Sequence, residues 1–336
     1  MPKRNLKVYS ENWDEEPFAI SRSSSDNFNV VLVELEQNGF RGWGESSPTE
    51  RYNESVDQTI SLIENYRKNI EEGISRTEIQ LLMSKGAARN AVDCALWDLE
   101  SKIAGKRIWN LKEMSKHLDK GLLFKPEIVT TVYSLGLDSP KKMGELAKKN
   151  SKRPILKIKL TGDGDLDRIN LIKENAPDSR LVVDANEGWD IGHYNHFVPE
   201  FFKLGVEMIE QPFPVNNDNI LKELNHPIPI CADESCHDRE DLSDLIGLYE
   251  YINIKLDKTG GLTEAINLQH EAESKGFKTM VGCMSCTSLG IAPAFFIAQR
   301  ATFVDLDAPL YLYNDRKYPI KYDLSYVYPP SRKLWG

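Results

Sequence analysis

LVVDANEGWD, residues 181–190, decides how this chain is read. Three apolar residues run straight into Asp184, Asn186 and Glu187, so a strand that reads as buried ends in two carboxylates and an amide. Side chains alternate along a strand, which puts Asp184 and Asn186 on one face. Similar short β-rich runs lie on both sides: VTTVYS (129–134), ILKIKL (155–160), EMIEQP (207–212), PICADES (229–235), YINIKL (251–256), KTMVGC (278–283) and TFVDLD (302–307). Successive starts fall 22 to 27 residues apart. Stretches with helical character fill the gaps, such as SPKKMGELAKKN (139–150) and LTEAINLQHEAESKG (262–276). Strand, helix, strand at this spacing predicts βα units and a parallel sheet. Eight strand candidates predict a closed (β/α)8-type barrel. The alternative, an open doubly wound sheet, lacks a G-x-G-x-x-G after its first strand.

The first 120 or so residues read differently. FNVVLVELEQNGFRGWGESS (28–47) predicts a hairpin turning at Asn38-Gly39. In AARNAVDCALWDLESKIAGK (87–106), Ala88, Ala91, Val92, Ala95, Leu96 and Leu99 fall on one helical face. The expected organisation is an α+β domain over 1–120 and the barrel over 121–309. The irregular tail, 310–336, is expected to return to the first domain.

The bulk composition narrows the function. Apolar residues make up 40% and charged residues 28%, a soluble balance. A net charge of -9 argues against nucleic acid or an anionic membrane as partner. No run approaches the roughly 18 apolar residues of a membrane span. MPKRNLKVYSENWDEE has no apolar core of a signal peptide. The five cysteines are odd in number and scattered, which predicts a reducing, cytoplasmic setting. Cys283 and Cys286 form a C-x-x-C, but no second pair completes a zinc site. His193 and His196 fall on a polar stretch and read as solvated.

Polar residues at the strand ends form a set, because barrel chemistry gathers at the C-terminal face. Lys157 and Lys159 come from the second strand, Asp184 and Asn186 from the third and Glu210 from the fourth. Asp233 and Glu234 follow from the fifth and Lys255 from the sixth. A single such residue is more often a cap or a solvated charge. Together, Asp184, Glu210 and Asp233 would repel one another unless a hard divalent cation such as Mg2+ sat among them. Lys159 and Lys255 flank that row. A desolvated lysine near a cation loses proton affinity and can serve as a base. Two such bases across a metal-bound carboxylate suit removal of an α-proton and its return from either face, the metal stabilising the developing enolate charge. Lys258, three residues after Lys255, reads as surface.

These residues carry a specific resemblance. KIK (157–159), VDAN (183–186), EQP (210–212), ADES (232–235) and NIKLDKTGG (253–261) are similar to the enolase superfamily in its muconate-lactonizing subgroup. The hairpin, ESSPTERYNES (45–55) and the Ala-rich helix resemble that family's capping domain. Use of a lysine or histidine base with magnesium is a property of the superfamily as a whole. The resemblance implies Asp184, Glu210 and Asp233 as magnesium ligands, Lys159 and Lys255 as the acid–base pair, and Lys157 as a group that holds the substrate carboxylate. Thr131 and Cys283 join the substrate-binding candidates. Related enzymes often carry a glutamate just after the seventh strand, where this chain has GCMSCTS with Cys286 near that place. The departure counts against any activity that needs that acid.

Cycloisomerases, o-succinylbenzoate synthases, N-acylamino acid racemases and dipeptide epimerases share these residues. Asp305 and Asp307, in TFVDLDAP (302–309), resemble the pair with which dipeptide epimerases hold a free α-ammonium. Two unpaired acids would disfavour an acyl substrate. ISR (20–22), GWGESSP (42–48) and GCMSCTSLG (282–290) extend the likeness to bacterial epimerases of L-Ala-D/L-Glu. It implies an isomerase that interconverts such dipeptides during murein peptide recycling, with a homo-oligomer common in the superfamily. Arg22, between two strand candidates in a loop that covers the site in such enzymes, is the candidate contact for a glutamate side chain. The runner-up is an N-acylamino acid racemase. A non-catalytic barrel binding a metal–carboxylate ligand is disfavoured by both lysines and all three acids.

Overall fold

Asn38 and Gly39 both have positive φ, 52° and 78°, and reverse the chain between two long strands. The computed structural model describes residues 3–19, 24–111 and 125–336. Strands β1 (Asn5–Ala19), β2 (Ser24–Gln37) and β3 (Phe40–Ser46) form an antiparallel sheet in that order. Alternation along β2 serves two cores at once. Val31, Val33 and Leu35 pack with Ala88, Ala91, Val92, Ala95, Leu96 and Leu99 of the helix Ala87–Ala104. Val30 and Leu32 point the other way and join the barrel core. Gly42 and Gly44 let the helix lie directly on β3: a Cβ on Gly44 would stand 1.9 Å from the Ala91 carbonyl oxygen.

The first barrel candidate, 129–134, is two strands. β4 (Val129–Thr130) leaves the barrel and pairs antiparallel with the tail, while β5 (Tyr133–Leu135) enters it. The remaining strands are β6 (Ile155–Lys159), β7 (Arg180–Asp184), β8 (Val206–Glu210), β9 (Ile230–Ala232), β10 (Tyr251–Ile254), β11 (Lys278–Gly282) and β12 (Phe303–Asp305). All eight are parallel and lie in chain order from β5 to β12. The barrel seam is closed beside β5 and β12: the Val132 amide donates to the Val304 carbonyl at 2.8 Å, and the Leu306 amide donates to Thr131 Oγ1 at 2.9 Å. Helices cover the outside, but a 3-10 segment (Val215–Glu223) follows β8 and a short helix (Leu242–Leu245) follows β9, so the barrel is a modified one.

Inside, Val132, Ile155, Val182, Met208, Cys231, Tyr251, Met280 and Phe303 form one apolar cluster. Two residues further along each strand, on the same face, stand Ser134, Lys157, Asp184, Glu210, Asp233, Asn253, Gly282 and Asp305. The basal plug is thus apolar and the next step up is polar in nearly every strand.

After β12 the chain forms β13 (Tyr322–Asp323) and β14 (Tyr326–Val327), which pair with each other and with β4. It ends against the first sheet and its helix. Trp335 is buried, its Nε1 3.0 Å from the Trp43 carbonyl and 3.1 Å from that of Cys94. Among the described residues no helix is long and apolar enough to cross a membrane.

The close approach at Gly44 gives a direct test. Gly44→Ala should destabilise the protein by about 1–3 kcal/mol through overpacking, read as a lowered urea midpoint. An unchanged midpoint would mean that the helix does not rest on β3 as described.

Candidate active site

The polar step above the barrel plug is a dense charge cluster. β6 and β7 align Lys159 with Asp184, and β7 and β8 align Asp184 with Glu210. Lys157 Nζ lies 2.7 Å from Asp305 Oδ2, 2.7 Å from Glu210 Oε2 and 3.1 Å from Asp184 Oδ2. Lys159 Nζ lies 2.6 Å from Asp184 Oδ2, and Lys255 Nζ lies 2.6 Å from Asp233 Oδ2. Lys258 Nζ donates to Asp233 Oδ1 at 2.6 Å and to the Asp233 and Asn253 carbonyls. Asn253 Nδ2 donates to Glu210 Oε1 at 2.7 Å.

Burial opposes ionisation of Asp184, Glu210 and Asp233, and the lysines counter it to different degrees. Burial works against the Asp184 carboxylate, but Lys159 and Lys157 outweigh it and hold its pKa below the usual range. Asp233 is likewise held well down against its burial by Lys255 and Lys258. Glu210 is pushed up to about 7 by burial and then by Asp184. Lys255 is desolvated, yet Asp233 and Glu210 keep its pKa well above normal.

A cavity of about 240 Å³ opens above this layer, between barrel and first sheet. Lys159, Asn186, Asp233 and Lys255 line one part, with Thr49, Arg51 and Tyr52 from the loop after β3. Cys283, Ser285, Asp305, Asp307 and Tyr311 line another, with Glu15 and Phe18 from β1. The two lysines of the expected base pair therefore face one shared space, as do both acids of D-x-D. Asp307 lies one step past β12. Its Oδ2 accepts the Ser134 amide at 2.7 Å and the Tyr311 hydroxyl at 3.1 Å. Burial, then Asp305, pushes its pKa to about 7.

One placement corrects the sequence reading, and two others locate expected substrate contacts outside the cavity lining. Lys258 is not on the surface: it is 2% exposed and neutralises Asp233 from below. A lysine three residues past a strand end can fold back when the chain turns into a helix at once, as it does at Leu256–Thr259. Lys157 does not line the cavity; with 1% exposure and three carboxylates around it, it is the counter-ion of the acid row. Thr131 is buried away from the cavity, its hydroxyl holding the barrel seam through Val304 and Leu306. Arg22 lies outside the described residues. Cys283 lines the cavity and Cys286 does not, and all five cysteines are free. Asn253 was readable in advance, two residues before Lys255 on the same face. Glu15, Arg51 and Tyr52 carried no such signal, because they reach the site from another domain.

Among the described residues no three acidic, histidine or cysteine side chains converge as a ligand set, because lysine ammonium groups stand between the acids. The donor chemistry still fits a hard divalent cation. Five buried carboxylates, those of Asp184, Glu210, Asp233, Asp305 and Asp307, lie around four lysines, Lys157, Lys159, Lys255 and Lys258. The surplus of negative charge sits on oxygen donors, the type that magnesium prefers.

Fold and site together define a capped βα-barrel of the acid–base type, with an acid row held between lysines at the barrel mouth. The chain belongs to the mandelate racemase/muconate lactonizing enzyme family: that family's N-terminal domain matches residues 3–112, and the enolase C-terminal domain-like family matches residues 142–331. It is 41% identical to the L-Ala-D/L-Glu epimerase of Escherichia coli K12, over 93% of this chain and 95% of that one. It is 37% identical to an N-acetyl-D-glutamate racemase of a Pseudoalteromonas species, over 91% and 95%. A solved enolase-family member from Agrobacterium tumefaciens, with homology to dipeptide epimerases and with bound sodium and L-Ala-L-Glu, superposes with a TM-score of 0.94 at 42% identity, covering 99% and 100%.

The buried position of Lys258 is testable by stability alone. Lys258→Met should cost about 3–5 kcal/mol, because it strips a buried carboxylate of one partner. Lys7→Met, at a lysine 63% exposed, should stay within about 0.5 kcal/mol of wild type. Equal denaturation midpoints for the two variants would return Lys258 to the surface.

Proposed function

We propose that this chain is a magnesium-dependent dipeptide epimerase, an isomerase that interconverts L-Ala-L-Glu and L-Ala-D-Glu or close analogues. One observation carries the reading: Lys159 and Lys255 line a single cavity that also holds Asp305 and Asp307. The dipeptide is placed with its second residue between the lysines and its free amino end toward the two aspartates. Lys159 takes the α-proton from one face and Lys255 delivers a proton to the other; the reverse reaction exchanges the roles. One lysine must enter each turnover neutral and the other charged. Asp184, Glu210 and Asp233 would hold magnesium, which would supply countercharge to those acids and to the negative charge that gathers on the substrate carboxylate. Lys157 and Lys258 sit among the acids and offset the repulsion along the row.

The finer readings rest on likeness and position. Similarity to the Escherichia coli enzyme supports a role in recycling the Ala-Glu unit of murein peptides. The free cysteines agree with a cytoplasmic location. We also infer a division into a cap over about 1–120, joined by the tail, and a barrel over about 121–309. The assignment of Arg22 to a glutamate side chain is supported by the place of Phe18, which lines the cavity just before the β1–β2 connection. The second reading, racemisation of N-acyl glutamate, is favoured by the 37% identical racemase. Asp305 and Asp307 oppose it, since an acyl nitrogen brings no cation to them.

A screen of dipeptides and N-acyl amino acids in D2O, read by mass, separates the two. Deuterium should enter L-Ala-L-Glu faster than N-acetyl-glutamate, and the reverse order would establish the racemase. Exhaustive chelation should abolish exchange, and magnesium should restore it; full turnover without a divalent ion would end the metal assignment. Arg22→Ala should raise KM for L-Ala-L-Glu roughly tenfold or more, the loss of one charge-assisted contact, and spare L-Ala-L-Leu. An unchanged Glu-to-Leu preference would place that specificity elsewhere.

A further inference from the structure

β1 loses its register with β2 between Asp14 and Phe18. Up to that shift the alternation of β1 turns Glu11, Trp13 and Glu15 to one, more buried face. Here Glu15 becomes a cavity wall, 4% exposed, while Glu16 beside it is exposed. Glu15 Oε1 accepts one long hydrogen bond, from Ser285 Oγ at 3.3 Å. No lysine or arginine among the described residues forms an ion pair with it, although both aspartates at this end of the cavity have strong partners. Asp305 has Lys157, and Asp307 has the Ser134 amide and the Tyr311 hydroxyl. Burial pushes the Glu15 carboxyl up to about 7. A buried carboxyl without a cation is costly unless a ligand supplies one. The adjacent wall is apolar: the Phe18 and Tyr311 rings lie 5.2 Å apart.

We propose that Glu15 is a specificity-determining residue that receives the free α-ammonium of the dipeptide's first residue from the capping side, opposite Asp307. This deepens the dipeptide reading and rests on it. An ammonium has three N–H donors. The barrel offers it Asp305 and Asp307, each already engaged through Oδ2, and the cap offers an acid held by a single long hydrogen bond. Recognition of a free amino terminus then requires the first sheet to be seated on the barrel, because the acids come from both. A substrate whose amino end is acylated or absent leaves Glu15 buried and unpaired, so the contact also selects against such compounds.

The test compares two substrates of the magnesium-loaded enzyme, L-Ala-L-Glu and N-propionyl-L-glutamate, which differs from it only in lacking the ammonium group. Glu15→Gln retains the side chain's size and its contact with Ser285. The ratio of kcat/KM for the dipeptide to that for the propionyl compound should fall about tenfold or more in this variant, the scale of a lost charged hydrogen bond. Should it fail to fold, Glu15→Asp, which keeps the charge and shortens the reach, must lower the same ratio. A ratio within twofold of wild type overturns the proposal and leaves the dipeptide reading standing. An equal loss for both substrates also overturns it, by making Glu15 merely structural. Wild-type enzyme that exchanges the propionyl compound and not the dipeptide overturns the dipeptide reading itself.

Discussion

The structure depends on a balance of buried charge one step above an apolar barrel floor. Four lysines and a larger number of carboxylates share a space with almost no water contact. Each ion alone would be expelled or neutralised. Held together they fix one another: Lys157 binds three strands' acids, and Lys258 binds Asp233 to the chain beneath Lys255. Lys159 and Lys255 are the two lysines of the four that also reach the cavity. That difference separates counter-ions from groups able to meet a substrate.

The second constraint is the seating of the cap. β2 serves two cores, and the helix on β3 touches backbone to backbone at Gly42 and Gly44. Arg316 of the tail ties Glu11 and Glu45 of the first sheet to Thr287 at the start of a barrel helix, its contacts with the two acids being 2.6 and 2.7 Å. Arg51 reaches from the loop after β3 to Glu187 beyond β7 with two hydrogen bonds, at 2.9 and 2.7 Å. Glu187 and Asn186 both have positive φ, 65° and 45°, a backbone that ordinary side chains rarely adopt. The cavity wall is thus composed by contacts that join both parts of the chain.

Much of this was legible in the sequence, for a physical reason. Strand alternation is strict, so a period of two carries the polar layer from strand to strand, and Asp184, Glu210, Asp233 and Lys255 could be placed on one barrel end without coordinates. The Ala-rich face and the Asn38-Gly39 turn were equally readable, because helix spacing and left-handed turns have local signatures. What stayed hidden was tertiary. Lys258 reads as surface because a strand's period no longer applies once the chain turns into a helix. Lys157 and Lys159 look equivalent in KIK, and only depth in the barrel distinguishes them. VTTVYS reads as one strand, but the returning tail captures Val129 and Thr130. Glu15 is one acid among several in NWDEEPF, and only the seating of β1 over the barrel makes the face it shares with Glu11 and Trp13 a cavity wall.

The central claim is that Lys159 and Lys255 serve opposite faces of one α-carbon. The most direct measurement is proton NMR of L-Ala-L-Glu and L-Ala-D-Glu, each incubated in D2O with magnesium and with Lys159→Ala or Lys255→Ala. The account predicts that neither variant interconverts the epimers, and that any residual α-exchange is confined to one epimer in one variant and to the other epimer in the second. Epimerisation by either variant at near wild-type rate, or exchange of the same epimer by both, would contradict it.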